Sequence, residues 1–145
     1  MKNIATQSPL KQKLFNYALS VSRKRNALRE HLKPVPVLTS LQHSIFDRVV
    51  FSKIREKLGG RLHVMASGGA ACPLNVLQFF EDIDIPILEG YGLTETSPII
   101  SVSGLDFTMR RLGTVGVPLP GQDVRIVDPD SMMPVRKTFL YLYSS

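Results

Sequence analysis

A single cysteine, Cys72, stands among 145 residues, and there is no tryptophan. One thiol excludes an intramolecular disulfide, and with His31, His43 and His63 scattered along the chain it makes no cluster at zinc-ligand spacing. That pattern favours a reducing, intracellular setting. Long apolar runs are missing as well: none approaches the ~18 residues that a membrane-spanning helix needs. Lys11 and Lys13 fall where a secretion signal would carry its apolar core. The chain therefore reads as cytoplasmic. Internal repeats and low-complexity tracts are absent, and 43% hydrophobic with 21% charged residues excludes collagen-like, disordered and disulfide-scaffold chains.

Acid is scarce in one place only. The net charge is +6, and residues 1–33 hold eight basic side chains against Glu30 alone, an excess of +7, whereas everything after Lys33 sums to −1. The basic character belongs to one segment and is no fold-wide surface. No aromatic residues interleave these bases as a stacking platform for nucleic acid requires, so no nucleic-acid partner is expected. A solvated helix face packed over a larger domain explains the charge; contact with an anionic membrane surface, as a basic peripheral module, is the alternative.

Residues 1–33 are expected to form a basic amphipathic helix, opened by Ser8-Pro9 and carrying Leu10, Leu14, Ala18, Val21, Leu28 and Leu32 at helical spacing. Pro34 and Pro36 end it. Residues 34–60 read as linker and second helix, with Leu41, Ile45, Phe46, Val49, Val50, Ile54 and Leu58 on one side and Gly59-Gly60 as the stop. Leu62–Ala66 then reads as a buried strand feeding the turn Ser67–Ala70, Leu74–Asp82 as a helix opened by Pro73, and Ile85–Leu88 as a second strand. Strand, turn, helix, strand is the signature of an α/β fold with a mostly parallel sheet, where ligands sit beyond the carboxyl ends of the strands. From Ile99 onward β-branched residues, Gly and Pro dominate and begin a β-rich part, with Val124–Val127 alternating as a strand. The cluster Glu81-Asp82-Asp84 reads as a solvated turn, and Cys72 as a small buried apolar residue rather than a nucleophile.

The chemistry concentrates in Glu89-Gly90-Tyr91-Gly92-Leu93-Thr94-Glu95-Thr96. As a dinucleotide fingerprint it fails, because Glu95 stands where the third glycine belongs and Pro98 spoils the helix that should come next. A carboxylate beside a phosphate-sized loop is repulsive unless a cation lies between. Glu95 next to the Thr94 hydroxyl offers two hard oxygen donors suited to Mg²⁺ shared with a nucleotide phosphate. Tyr91 supplies a flat face for a purine, and the flanking glycines allow close approach to the backbone. The loop reads as an adenylate site.

These stretches resemble the adenylate-forming superfamily, and within it long-chain fatty acyl-CoA synthetases. The resemblance rests on Phe51–Leu62, Ser67–Ala70, Leu88–Pro98, Gly113–Gly116 and Pro118–Gly121, and covers roughly residues 8–134. It implies a ligase that joins a fatty acid to CoA at the expense of ATP, through an acyl-adenylate, with AMP and pyrophosphate as the other products. It further implies that Tyr91 stacks on adenine, that Gly69 and Ala70 line the same pocket, and that Gly90 and Gly92 line the meeting point of nucleotide and acyl tunnel. Thr94 would hold the α-phosphate and Glu95 the Mg²⁺; the CoA site would lie mostly outside this chain. On that reading 61–135 is a partial AMP-binding core, a slice of the family's large N-terminal domain, and 136–145 a tail that departs from the pattern. Neither a glycine-rich phosphate loop with lysine nor the family's ribose-binding aspartate and catalytic lysine is present. The 145 residues are therefore expected to be an internal fragment, inactive alone; a truncated product that binds adenylates or protein partners without catalysis is the alternative.

Overall fold

The computed structural model describes residues 8–96, 98–106 and 110–135, and the apolar strip Phe139–Tyr143 lies outside them. The described residues fall into two compact units, one within Met1–Val64 and Gln78–Pro86, the other within Met65–Leu77 and Ile87–Ser145.

The first unit is helical. Helix α1, Pro9–Glu30, starts with Pro9 in its first turn, where a missing N–H costs nothing. Ser8 occupies the cap position, but through its backbone: its carbonyl accepts the Lys11 and Gln12 N–H groups at 2.9 and 3.2 Å, and its side chain makes no capping bond. At the other end Leu32 takes a left-handed conformation (φ 53°) and the Lys33 N–H returns to the Leu28 carbonyl at 2.8 Å, so the helix closes just ahead of Pro34.

The face that α1 buries keeps Ala18 and Val21 of the stripe expected of it and drops its terminal leucines. Leu10, Leu14 and Leu32 are exposed, while Ala18, Leu19, Val21, Ser22 and Asn26 are buried. The reason is polar. Ser22 Oγ donates to the Asp82 carbonyl at 2.5 Å and Asn26 Nδ2 to the Glu81 carbonyl at 3.1 Å, supplying donors to the end of helix α4 (Leu74–Asp82), whose last carbonyls have no partner within their own helix. Arg23 pairs with Asp82 at 2.8 Å, and Arg25 pairs with Asp84. The solvated-turn reading of Glu81-Asp82-Asp84 is thereby corrected: Glu81 and Asp82 are buried. Asp84, left-handed at φ 57°, is the residue at which the chain leaves α4, with the Ile85 N–H bonded to the Phe80 carbonyl at 3.0 Å.

The second helix expected within 34–60 is three pieces in sequence: α2 (Val37–Phe46), a wide π turn (Asp47–Phe51) and α3 (Ser52–Lys57). The turn is marked by the Ser52 N–H reaching the Asp47 carbonyl, five residues back. Its inward residues are Thr39, His43 and Phe51, whereas Leu41, Ile45, Val49 and Leu58 of the expected apolar side are exposed. Gly59 and Gly60, at φ 98° and 72°, end α3 as expected. Among the described residues no helix is long and apolar enough to cross a membrane.

The second unit holds a four-stranded sheet in the order β1 (Met65–Gly68), β2 (Ile87–Tyr91), β3 (Ser101–Val102), β4 (Val117–Pro118). The strand–turn–helix–strand segment is parallel, with Met65 opposite Ile87 and Gly68 opposite Gly90; β3 and β4 then add antiparallel. The fold is α/β with a mixed sheet. Both parallel strands sit two to three residues later than their apolar runs suggested, and Val124–Val127 contributes only an antiparallel bridge from Val127 to Pro134.

Candidate functional site

The parallel pairing brings the two glycine segments to one edge. Gly68 and Gly90 are opposite each other at the carboxyl ends of β1 and β2, and Gly69, at φ 80°, turns the chain away immediately beyond. A cavity of about 330 Å³ lies there, lined by Ala66, Ser67, Gly68 and Gly69 from the first strand and turn, by Leu88, Gly90, Tyr91 and Gly92 from the second, and by Pro98, Ile99 and Val102. Its wall is apolar apart from backbone, Ser67 and the Tyr91 ring. Tyr91 is 44% exposed, which leaves its ring open to a planar ligand.

Two glycines of this motif are bare for different reasons. A Cβ on Gly92 would lie 1.8 Å from the Pro98 carbonyl oxygen, so the returning chain can pass only over glycine. A Cβ on Gly90 would meet nothing nearer than the Ser101 carbonyl at 3.8 Å, an ordinary contact. The fold does not require Gly90 to lack a side chain; the open space it borders is the cavity.

Thr94 and Glu95 stand apart from this wall. They lie in the single 3-10 turn Thr94–Thr96, pinned by the Thr96 hydroxyl, which donates to the Leu93 carbonyl and accepts the Leu93 N–H, both at 2.9 Å. Both are exposed, as is Ala70. The structure thus gathers Gly69, Gly90, Tyr91 and Gly92 around one cavity and leaves Ala70, Thr94 and Glu95 outside its lining. Among the described residues no three His, Cys, Asp or Glu side chains gather as a metal cage. One accessible carboxylate beside one hydroxyl does fit Mg²⁺, which keeps several waters and takes its remaining oxygens from phosphate.

A residue that the motif reading passed over sits behind the cavity. Glu89 is only 4% exposed, and its carboxylate accepts the Cys72 N–H at 3.3 Å. Strand alternation carried the signal, since Leu88 and Gly90 face the cavity and the residue between them must face the other way. Burial, with the Glu89 charge second, pushes the Cys72 thiol up, although the residue is half-buried and not fully buried as expected.

Similarity to known proteins covers the same stretch of chain. The AMP-binding enzyme family matches residues 12–138. The chain is 38% identical over 97 residues to long-chain-fatty-acid–CoA ligase FadD15 of Mycobacterium bovis, covering 67% of this chain and 16% of that protein. It is 37% identical over 130 residues to the peroxisomal long chain acyl-CoA synthetase 6 of Arabidopsis thaliana, covering 89% of this chain and 17% of that protein. Against long chain acyl-CoA synthetase 2 of the same plant it is 35% identical over 135 residues, covering 91% and 19% respectively. The matched part of the chain spans less than a fifth of the length of these relatives.

Proposed function

The chain belongs to the AMP-binding enzyme family, and from that premise we propose that its glycine-edged cavity is the adenylate end of an ATP-dependent long-chain fatty acid–CoA ligase. In that reaction a fatty acid carboxylate oxygen attacks the α-phosphorus of ATP and expels pyrophosphate; the CoA sulfur then attacks the acyl carbonyl and expels AMP. The observation that carries the reading is the convergence of Gly69, Gly90, Tyr91 and Gly92 on one cavity at the carboxyl edge of a parallel strand pair.

The residues divide the work by their chemistry. Tyr91 stacks on the purine, with Gly69 and Ala70 beside it, and Gly90 and Gly92 leave the backbone bare where the acyl carbonyl meets the phosphate. The Thr94 hydroxyl donates to an α-phosphate oxygen, and Glu95 holds Mg²⁺. The ion supplies charge neutralisation on the phosphates, the largest demand of phosphoryl chemistry. The Thr94 and Glu95 roles rest on the motif Tyr91–Thr96, since both side chains stand exposed outside the cavity lining.

Calorimetric titration of the chain with AMP and with a non-hydrolysable oleoyl-adenylate analogue tests this reading. Tyr91→Ala is expected to weaken both by about tenfold, the scale of one aromatic stack. Glu95→Gln is expected to abolish the Mg²⁺ dependence of ATP binding and to leave AMP binding unchanged. Equal affinity of the Tyr91→Ala variant and the parent would refute the assignment.

A further inference from the structure

The cavity wall is built from three stretches of chain: β1 with its Gly69 turn, β2 with Gly92, and the returning residues Pro98, Ile99 and Val102. None of these carries side-chain hydrogen-bonding groups into the cavity that could fix their spacing from the inside, apart from Ser67 and Tyr91. Behind the wall, one residue bonds to the first and the last. Glu89 accepts the Cys72 N–H on its carboxylate at 3.3 Å, donates its own N–H to Ser103 Oγ at 2.8 Å, and accepts the Ser103 N–H on its carbonyl at 2.9 Å. Cys72 lies three residues beyond Gly69, and Ser103 comes directly after Val102; both neighbours line the cavity. Glu89 itself does not line it.

A carboxylate is an unfavourable choice for such a place. At 4% exposure, a glutamate loses most of its hydration, and an apolar residue would fill the same volume without that penalty. What only an acceptor-bearing side chain supplies is a partner for the Cys72 N–H, a half-buried donor on the loop beyond the Gly69 turn. The backbone bonds to Ser103 need no particular side chain at 89; the bond to Cys72 does.

We propose that Glu89 is a positioning residue of the adenylate site: beyond the β1–β2 pairing, its buried carboxylate tethers the Gly69–Cys72 turn to β2 and so sets the width of the cavity between Gly69 and Tyr91. This deepens the adenylate reading and rests on it for the identity of the ligand, but the tether itself is a property of the unliganded chain. Glu89→Gln keeps an acceptor oxygen at the same reach, Glu89→Met keeps the volume without an acceptor, and Glu89→Asp keeps the charge but shortens the reach by one carbon.

Amide hydrogen exchange at Cys72, measured by NMR on the chain without ligand, reads the tether directly. Relative to the parent, Glu89→Met and Glu89→Asp are expected to exchange about tenfold faster at Cys72, and Glu89→Gln within about twofold, with exchange in α1 unchanged in all three. AMP affinity, measured in parallel, is expected to fall about fivefold in the Met and Asp variants and to be kept in the Gln variant. Should Glu89→Met fail to fold, the Asp and Gln pair carries the same comparison. Unchanged Cys72 exchange in Glu89→Asp, or a Gln variant that behaves like Asp, overturns the proposal. If the parent binds no AMP while Cys72 exchange shows the expected order, the adenylate reading falls and the tether stands.

Discussion

At the residue scale, Gly90 and Gly92 show how one sequence motif can hold two different constraints. Gly92→Ala forces a Cβ to within 1.8 Å of the Pro98 carbonyl oxygen, so the loop must shift. The expected outcome is a loss of about 1–3 kcal/mol in chemical denaturation, the usual penalty for overpacking, together with loss of AMP binding. Gly90→Ala meets only contacts of 3.8 Å and beyond, so its denaturation midpoint should match the parent while adenylate affinity falls about tenfold because the methyl borders the cavity. A Gly90→Ala chain that binds as tightly as the parent would show that the ligand never approaches that atom. That Gly69, Gly90, Tyr91 and Gly92 come to one cavity was legible in sequence, because a strand running into Gly-Tyr-Gly needs little context; that Ala70, Thr94 and Glu95 stand outside its lining was not. Which glycine the fold itself requires was not legible either, since the Pro98 carbonyl that decides it comes from the returning chain.

At the element scale, the unexpected result is the polar contact of α1 with the end of α4. The apolar stripe placed Ala18 and Val21 correctly but missed the polar half of the buried face, because side-chain periodicity says which residues are apolar and not which partner waits for them. The partner here is a helix terminus with unsatisfied carbonyls and two aspartates, about sixty residues away in sequence, and it selects Ser22, Arg23, Arg25 and Asn26. His43 of α2 joins this cluster. Its Nδ1 accepts a hydrogen bond from Arg25 at 2.6 Å, its Nε2 lies 3.5 Å from Asp84, and Asp47 and the Phe51 ring face it from the π turn. Burial, with Arg25 second, lowers its pKa below the ordinary 6.5. The folded chain therefore binds this proton less readily than the unfolded one. Stability is fully present above the ordinary value and declines as pH falls from there toward the folded value. Thermal melts at about pH 7.5 and about pH 5.5 should show a drop that His43→Gln removes; comparing the two chains cancels the opposing contribution of Asp82, whose carboxyl is pushed up by burial. An equal drop in both chains would assign the acid sensitivity elsewhere. The helix limits, by contrast, were read well: Pro9, Gly59-Gly60 and Leu74–Asp82 are set by local chemistry, and local chemistry is what a sequence displays.

At the scale of the whole molecule, charge and length change meaning together. The basic excess of residues 1–33 is partly neutralised inside one unit, where Arg23 and Arg25 meet Asp82 and Asp84, so a count of +7 overstates what that segment shows to solvent. The matched family members are about four to five times longer than this chain, so on the proposed reading these residues supply only the adenylate end of such an enzyme. The 145 residues contain no glycine-rich loop with lysine to grip the outer phosphates. Incubated with ATP, Mg²⁺, oleate and CoA, the purified chain is expected to form no acyl-CoA above the uncatalysed background, as monitored by mass spectrometry; clear product formation would refute this. The sheet's strand positions were legible only to within two or three residues, because the apolar runs at 62–66 and 85–88 mark what is buried. The hydrogen-bond register, which pairs Ser67 with Glu89, decides where the strands begin.

The π turn at Asp47–Phe51 gives the chain one residue more than a regular helix would use to carry Thr39, His43 and Phe51 inward along one path. Twelve residues from Thr39 to Phe51 would leave an ideal helix about a third of a turn out of phase; eleven would bring it back. Within the turn itself the gene can therefore lose a codon without changing the spacing of Thr39 and His43. Deleting Val49 should straighten the turn into α-helix and keep Phe51 buried with a nearly unchanged melting temperature, whereas deleting Leu41, within regular helix, should rotate Thr39 by about 100° relative to His43, turn it out of the core and lower the melting temperature by several degrees, about 4–8 °C.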